Sequence, residues 1–349
     1  MADIVIDGRP VGPGHPPYVI CELSGNHNGS LERMLHMIGE AAKTGCDAIK
    51  IQSYTPDTIT IDSDRPEFMI EGGLWDGSRL YDLYGEAHTP FEWHPAIFAR
   101  AREAGVTLFS SPFDVTAVDM LAALDAPAYK IASFEIVDLP LIAHVARQGK
   151  PMIVSTGLAT LGEIEAAVRT AREAGCEELV LLHCISSYPA PAEDSNLRTI
   201  PHLAEAFGAV GGLSDHTHGS AVSVAAVALG ARVIEKHFTL ARADGGPDSA
   251  FSLEPDEFAE LCRSCREAFA ALGEVGYSLK GSEAGNVTFR RSLYVVADVA
   301  EGEALTERNV RSIRPGHGLA PRHYHDILGK RATRPLRRGD ALRWDMLAP

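Results

Sequence analysis

Between residues 18 and 272 the sequence alternates eight times between a short apolar run and an amphipathic stretch, and this alternation constrains the fold most. Several amphipathic stretches, such as LERMLHMIGEAAKTG, end in the glycine that is typical of a helix C-cap. The apolar runs are Tyr18–Leu23, Ala48–Ile51, Thr107–Ser110, Ala128–Ile131, Met152–Ser155, Leu179–His183, Val210–Leu213 and Arg232–Glu235. Eight consecutive βα units predict an α/β protein with a TIM (β/α)8 barrel, and a doubly wound open sheet is the alternative. No GxGxxG follows the first run, which argues against a dinucleotide site.

The composition disfavours several functional classes. The formal net charge of −15 argues against nucleic-acid binding, and no apolar run is long enough to cross a membrane. The N-terminus, MADIVIDGRP, does not resemble a signal peptide. The six cysteines are too scattered to form a disulfide framework, so we expect a reducing, cytoplasmic location.

A change in charge marks a second domain near the C-terminus. Residues 290–349 contain 12 Lys and Arg against 7 Asp and Glu, whereas residues 1–289 contain 20 against 40. The segment before this change, GEVGYSLKGSEAGNVT, is rich in Gly and Ser, as linkers are. We therefore predict a catalytic barrel over residues 1–274, a linker over 275–289 and a small β-rich domain over 290–349. Their opposite charges favour docking of the two domains, within a chain or between chains.

The connection from Ser53 to Pro90, after the second predicted strand, is much longer than a barrel loop requires. It contains the motif GGLWDG and two nearby tyrosines, Tyr81 and Tyr84. This aromatic content predicts a folded lid over the strand ends rather than a disordered loop. Its Trp75 could stack on a sugar or could anchor the loop by packing.

Two histidines, His216 and His237, follow neighbouring predicted strands, and each has a carboxylate one or two residues before it. Active sites of α/β folds lie at the carboxyl ends of parallel strands. Two imidazoles there can share one divalent metal ion, so we predict a metal site. The alternative is that each histidine only forms a hydrogen bond at the start of a loop.

The other predicted strands also end in charged or hydroxyl-bearing residues. Lys50 and Lys130, with nearby hydroxyls and glycine-flanked amides, could cradle a phosphate and a carboxylate. They could instead form structural ion pairs with Glu22 and Glu135, which are also candidates for water positioning and proton transfer. Strand alternation directs Lys236 away from the interior, so we do not predict it to be catalytic.

Four further polar residues each allow two interpretations. Ser155 and Thr156 could bind an anion or could cap the following helix. Asp248, in the glycine-rich segment GGPDSAF, is placed to bind a polyol but could be an ordinary turn residue. His27, in the turn-rich NHNG, could bind substrate or only shape its loop.

The segments ELSGNHNGS, AIKIQSYTPDTI, SSPFD, YKIASFEI, STGLAT, SSYPAP, GLSDHT, IEKHFT and GGPDSAFSLEP, in that order, resemble the sialic acid synthase family. The terminal RRSLYVV and RPGHGL resemble the antifreeze-like (SAF) domain of that family, so the resemblance covers nearly the whole chain. It implies condensation of phosphoenolpyruvate with an N-acetylated amino sugar, with release of phosphate. TPDTITIDS, GGLWDG, FEIVDLPLI and RRSLYVV are most similar to the branch that makes pseudaminic acid from 2,4-diacetamido-2,4,6-trideoxy-L-altrose. The branches that make legionaminic and N-acetylneuraminic acid are the alternatives.

The resemblance also implies roles for individual residues. His216 and His237 would ligate a divalent metal, Mn²⁺ or else Mg²⁺ or Co²⁺, while Glu22 and Glu135 would handle water and protons. The residues that would hold phosphoenolpyruvate are Lys50, Ser111, Lys130, Ser133, Ser155, Ser186, Tyr188 and Ser214. The residues that would contact the sugar are Gln52, Tyr188, Asp248 and Arg314. Arg314 would do so in the partner subunit's site, which implies a domain-swapped homodimer.

Two of these residues depart from the neuraminate branch, which tends to have Thr where this chain has Ser111 and Asn where it has Ser186. In the implied mechanism, C3 of phosphoenolpyruvate attacks the metal-polarised aldehyde of the sugar, water adds at C2, and C–O cleavage releases phosphate. A Schiff-base aldolase that uses Lys50 or Lys130 and a non-catalytic sugar-binding protein are the rival hypotheses. The sequence leaves open the stereochemistry of the acceptor sugar.

Overall fold

The chain begins with an antiparallel hairpin, β1 (Ile4–Ile6) and β2 (Arg9–Val11), in the computed structural model, which describes residues 3–349. Eight parallel strands then close into a barrel, which confirms the TIM-barrel prediction over the open sheet. They are β3 (Tyr18–Glu22), β4 (Ala48–Ser53), β5 (Thr107–Pro112), β6 (Tyr129–Ile131), β7 (Met152–Ser155), β8 (Leu179–Cys184), β9 (Val210–Asp215) and β10 (Val233–His237). Parallel pairing of β10 with β3, which aligns His237 with Glu22, completes the closure.

Helices follow the strands, and all but two of them, both in the long connection after β4, contribute buried side chains to the core around the barrel. They are α1 (Leu31–Lys43), α2 (Pro56–Ile59), α3 (Leu80–Ala87), α4 (His94–Ala104), α5 (Val115–Ala123), α6 (Leu139–Ala146), α7 (Leu161–Glu173), α8 (Thr199–Phe207), α9 (Ala221–Ala228) and α10 (Pro255–Leu272). Local sequence sets several of their ends: Thr160 and Glu163 form a capping box at the start of α7, and Gly105 ends α4 with a left-handed φ of 68°. Among the described residues, no helix is long and apolar enough to span a membrane.

The barrel interior is apolar at the amino ends of the strands. Ile20, Phe109 and Leu182 pack there in one buried cluster, together with residues of the β1–β2 hairpin. Since the hairpin and these side chains fill that end, the polar interior positions lie at the carboxyl ends. At Gly212 of β9 a side chain would collide with the backbone of Val233 on β10, so the close approach of these strands requires glycine.

Five strands, β4, β5, β8, β9 and β10, extend beyond their predicted ends, and two of these extensions bear on the site. β9 continues to Asp215 and β10 to His237, because their backbone pairing continues past the apolar runs. The extension places Glu235 and His237 on the same inner face and Lys236 on the outer face, as strand alternation predicts for Lys236.

The structure divides into two units, Met1–Gly273 and Glu274–Pro349. In the second, β11 (Ser292–Val295) pairs antiparallel with β12 (Val310–Ile313), and a short helix, α11 (Tyr324–Ile327), follows. Isolated bridges such as Val299–Leu336 add further β pairing around a core that includes Leu293 and Leu305. Residues 281–289 of the predicted linker fold as 3₁₀ turns that are almost entirely exposed.

Candidate active site

Seven of the eight barrel strands carry a charged, amide, imidazole or hydroxyl side chain on the inner face, two or four residues after an apolar interior residue. Phe109 on β5, for example, is followed two residues later by Ser111, and Ile153 on β7 by Ser155. The predicted site residues that reach the interior in this way are Glu22, Lys50, Gln52, Ser111, Lys130, Ser155, Ser214 and His237. Barrel closure therefore brings residues from seven separate strands together at the carboxyl end of the barrel.

A buried charge network lies at this end of the barrel. Lys50 Nζ lies 2.7 Å from Glu22 Oε2 and donates to Ser111 Oγ at 3.1 Å. Glu235 Oε1 lies 3.6 Å from Lys50 Nζ and 3.7 Å from Lys130 Nζ, and accepts a hydrogen bond from Ser214 Oγ. Glu235 thus holds the two lysines together.

Sequence reasoning missed Glu235 as a site residue, although the alternation that directs Lys236 outward also directs Glu235 inward. The predicted alternative pairing is correct for Lys50 with Glu22. For Lys130 it is wrong, because its carboxylate partner is Glu235 and not Glu135.

Burial and pairing shift the pKa values of these groups in opposite directions. Burial opposes the charge on Lys50, but Glu22 and Glu235 outweigh it, so the pKa of Lys50 is raised. At Lys130 burial outweighs the attraction of Glu235 and the pKa is lowered. Burial raises the pKa of Glu22, and it raises the pKa of Glu135 to about 7. Since Oε2 of Glu135 has no hydrogen-bond partner within residues 3–349, this carboxyl is available to a ligand or water.

Ser24 connects three of the predicted residues. Its Oγ forms a short hydrogen bond with Asp248 and accepts another from Gln52 Nε2 at 3.1 Å, while its backbone N–H donates to Glu22 Oε1. Ser24 adopts a φ of 46°, which is uncommon outside glycine. The turn motif SGNHNG was the signal for this loop, but Ser24 itself was not predicted. The structure places Asp248 in this polar cluster, so it is not only a turn residue.

The hydroxyl groups of Ser133 and Ser186 both lie next to Gly157, which follows β7. A Cβ on Gly157 would collide with the Oγ atoms of both serines, so only glycine leaves this concave space open. Ser155 Oγ, one alternation earlier, is buried and has no hydrogen-bond partner in the part of the chain that the structure describes. The alternative that Ser155 caps the next helix is wrong, because α7 begins after Thr160.

The two predicted metal ligands lie side by side. The ring centroids of His216 and His237 are 5.4 Å apart, and Tyr188 lies 4.4 Å from His216. His216 Nδ1 is 2.9 Å from the Ile185 carbonyl, which leaves Nε2 free to ligate when Nδ1 carries the proton. His237 Nδ1 is buried without a hydrogen-bond partner in residues 3–349, and it lies 3.8 Å from Asp248 Oδ2. Burial lowers the pKa of His237 well below its ordinary value, so its imidazole is neutral, as a metal ligand must be.

These donors fit a divalent metal whose remaining ligands come from outside the protein. Within residues 3–349, no group of three or more His, Cys, Asp or Glu side chains is arranged to hold a metal ion. An orphaned imidazole nitrogen beside a second imidazole leaves coordination positions open, as catalytic metal sites do.

Two predicted residues lie outside this assembly. His27 is buried in its own loop, where Nδ1 accepts from the Gly29 N–H and Nε2 lies 3.4 Å from Thr89 Oγ1, so it shapes the loop. Arg314 belongs to the C-terminal unit and is exposed there, next to a cis peptide bond with Pro315.

Comparison with known proteins agrees with this geometry. A model described as the NeuB family matches residues 37–277, and a SAF domain model matches residues 290–348. The chain belongs to the NeuB family. This confirms the resemblance seen in its motifs, and the NeuB-family barrel and the SAF domain correspond to the two structural units. The curated relatives described next are synthases, and the present chain is accordingly an enzyme.

Three relatives define its place within the NeuB family. A pseudaminic acid synthase from Campylobacter jejuni is 48% identical over 93% of this chain and 95% of its own length. A pseudaminic acid synthase from Helicobacter pylori is 42% identical over 95% of this chain and 97% of its own. The crystal structure of an N-acetylneuraminic acid synthetase from Leptospira borgpetersenii, in complex with citrate, has a TM-score of 0.73 at 31% identity and covers 82% of this chain and 95% of its own.

Proposed function

We propose that this protein is a pseudaminic acid synthase. It condenses phosphoenolpyruvate and water with 2,4-diacetamido-2,4,6-trideoxy-L-altrose and forms pseudaminic acid and phosphate. The observation that carries the proposal is the 48% and 42% identity to two pseudaminic acid synthases over nearly the full chain, against 31% to a neuraminic acid synthetase. Synthesis of legionaminic or N-acetylneuraminic acid by the same chemistry is the alternative.

In this proposal phosphoenolpyruvate binds beside the buried charge network. Lys50 and Lys130 supply the positive charge there, and the hydroxyls of Ser111, Ser133, Ser155, Ser186 and Ser214, with Tyr188, supply hydrogen bonds. The space over Gly157 and the unpartnered Ser155 Oγ support a bound phosphate, because a phosphate needs several converging donors.

His216 and His237 would hold the divalent metal, for which we propose Mn²⁺, with Mg²⁺ or Co²⁺ as the alternatives. When bound, such an ion supplies Lewis-acid polarisation of the acceptor's carbonyl group. Gln52, Tyr188 and Asp248 lie around the same histidines and would bind the acceptor's polar groups.

The chain's own residues then arrange the reaction. The site holds C3 of phosphoenolpyruvate against the acceptor carbonyl carbon, and the lysines balance the phosphate charge while positive character develops at C2. Glu22, held by Lys50, Ser24 and Gln52, positions the water that adds to C2. Glu135, whose pKa of about 7 leaves it partly protonated at neutrality, transfers the proton as C–O cleavage releases phosphate.

We also propose a domain-swapped homodimer in which Arg314 reaches the acceptor in the partner subunit's site. Exposed apolar residues in the segments that follow β6 and β7 support a covered surface there: Phe134 and Val137 are each 58% exposed, Leu158 73% and Leu161, the first residue of α7, 57%. The acidic barrel and the basic SAF domain complement each other in charge. The six cysteines, all free and buried, suit a reducing cytoplasm.

The deciding experiment measures Mn²⁺-dependent phosphate release from phosphoenolpyruvate with a panel of acceptors. The panel contains the diacetamido-trideoxy-altrose, its gluco- and manno-configured counterparts and N-acetylmannosamine. Release with the altrose sugar at a kcat/KM at least 10-fold above the others is the expected result. Preference for another sugar would move the chain to a neighbouring branch, and no release with any sugar would refute the synthase proposal. Incorporation of ¹⁸O from water at C2 of the product tests the C–O cleavage separately.

A further inference from the structure

Residues 69–79, within the long connection after β4, form a small hairpin that we call the tip hairpin. Met69 and Arg79 form a β-bridge, Ile70 N–H donates to Ser78 O at 2.9 Å, and Gly77 N–H donates to Ile70 O at 2.9 Å. The Asp76 carboxylate accepts the Gly72 N–H at 2.6 Å and closes the turn. These bonds lie within residues 69–79, so the hairpin has a defined turn of its own.

Trp75, at the turn of the tip hairpin, reaches the acceptor side of the candidate site. Its indole N–H donates to the carbonyl of Pro247 at 3.1 Å, next to Asp248. Its ring centroid lies 5.8 Å from that of Tyr188, which lies 4.4 Å from His216. Because both distances are measured to the Tyr188 ring centroid, the ring centroids of Trp75 and His216 lie at most 10.2 Å apart.

The contact to Pro247 also positions the whole tip hairpin. Among the described residues, it is the one side-chain hydrogen bond between residues 69–79 and the chain outside the 53–90 connection. The neighbouring Leu74 is 47% exposed and does not fasten the hairpin to the barrel. Trp75 thus anchors the hairpin and also lies beside Tyr188, which contacts His216.

The single N–H of the indole is already bonded to Pro247, so the ring offers only apolar surface to anything beside it. An acceptor whose carbonyl carbon lies at the histidines extends roughly 6–8 Å along its six-carbon chain, which brings its far end to the indole. A methyl group at C6 is favoured against this surface, whereas a C6 hydroxyl would lose its hydrogen bonds to water without gaining a partner.

We infer that Trp75 is a specificity-determining residue: its indole packs against the far end of the acceptor and selects a 6-deoxy sugar over its 6-hydroxy counterpart. The inference rests on the proposed function, since it assumes that the acceptor carbonyl lies at the histidines. It goes beyond that function by assigning the selection at C6 to one side chain.

The test compares Trp75→Ala with Leu74→Ala, the exposed neighbour on the same hairpin. For each variant, kcat/KM is measured with 2,4-diacetamido-2,4,6-trideoxy-L-altrose and with the same sugar carrying a C6 hydroxyl, and the KM for phosphoenolpyruvate is measured beside them. We expect Trp75→Ala to lower kcat/KM for the 6-deoxy sugar at least 10-fold and for the 6-hydroxy sugar less than 3-fold. Leu74→Ala and the KM for phosphoenolpyruvate in both variants should stay within 2-fold of the wild-type values.

Equal losses for the two sugars would show that Trp75 is only a structural anchor and would overturn the inference, as would no loss at all. A change in the KM for phosphoenolpyruvate as large as that for the acceptor would overturn it too, since the effect would then not be confined to the acceptor side.

Fluorescence separates this inference from the proposed function. The chain has three tryptophans, and Trp75→Phe removes the one at the tip hairpin. We expect the altrose sugar to produce a saturable change in emission in the wild type that Trp75→Phe abolishes. If the wild type releases no phosphate, the proposed function fails, yet this titration still tests the contact. An unchanged signal in Trp75→Phe would refute the contact even if the enzyme is active.

Discussion

Lys236 Nζ lies 2.9 Å from Asp215 Oδ2, and both side chains are buried on the outer face of the barrel, directly behind the two histidines. Lys236 also donates to the Thr217 carbonyl at 2.6 Å, and Asp215 accepts from the Thr217 N–H and from Ser223 Oγ. His216 lies between Asp215 and Thr217, and His237 follows Lys236. This ion pair therefore braces the backbone that carries both candidate metal ligands.

Removing one partner of this pair should destabilise the fold strongly. We expect Lys236→Met to lower the free energy of unfolding by about 3–5 kcal/mol, because it leaves the Asp215 carboxylate buried without its counter-ion. Urea denaturation measures the change. In a double-mutant cycle with Asp215→Asn, the combined loss should be smaller than the sum of the two single losses. Additive losses would show that the pair does not act as a unit.

Metal binding should require both histidines. His216→Ala and His237→Ala should each weaken Mn²⁺ binding at least 100-fold, since the loss of an outer-shell partner alone typically costs about 10–100-fold. Titration calorimetry with Mn²⁺ measures the affinity. His218→Asn is the matched control, because His218 is exposed two residues after His216 and should leave the affinity unchanged. Wild-type affinity in either alanine variant would exclude that histidine as a ligand.

The contribution of Glu135 to stability should depend on pH with a defined sign. Burial raises its pKa from 4.5 to about 7, so the folded protein holds a proton that the unfolded chain has lost in this window. The contribution of Glu135 to the free energy of unfolding is therefore greatest below pH 4.5 and falls as the pH rises towards 7. Relative to Glu135→Gln, the wild type should lose up to about 3 kcal/mol of unfolding free energy between pH 4.5 and 8. A difference between the two proteins that is constant across urea titrations from pH 5 to 8 would contradict the raised pKa.

A methyl group at Gly157 should obstruct the phosphate cradle. In Gly157→Ala the new Cβ meets the hydroxyls of Ser133 and Ser186, and we expect the KM for phosphoenolpyruvate to rise at least 10-fold with little change in the acceptor KM. Steady-state kinetics with each substrate varied in turn measure both constants. Gly162→Ala in α7 is the control, because its Cβ meets nothing within 4 Å. An equal rise in both constants would place the cradle elsewhere.

The local hydrophobic pattern of the sequence is enough to predict the fold and the end of the barrel at which the candidate site lies. The alternation of apolar runs and amphipathic helices predicts eight strands, and period-two alternation predicts which side chains of each strand face inward. The inward direction of Lys50 and Lys130 and the outward direction of Lys236 follow from this period alone. The order of the motifs predicts the family, because the motifs contain the polar residues found at these strand ends.

Barrel closure decides which of these inward groups meet. Ser24 and Asp248 are 224 positions apart in the chain, and they bond because β10 pairs with β3. Lys130 pairs with Glu235 instead of Glu135, and the Trp75 indole donates a hydrogen bond to Pro247, 172 positions away. No local periodicity of the sequence predicts either contact. Periodicity specifies the face of an element on which a residue lies, but partners on different elements are set by the register and the packing of the whole barrel. For that reason the sequence by itself determined the fold, the family and the end of the barrel that carries the site, and only the tertiary structure decided its pairings.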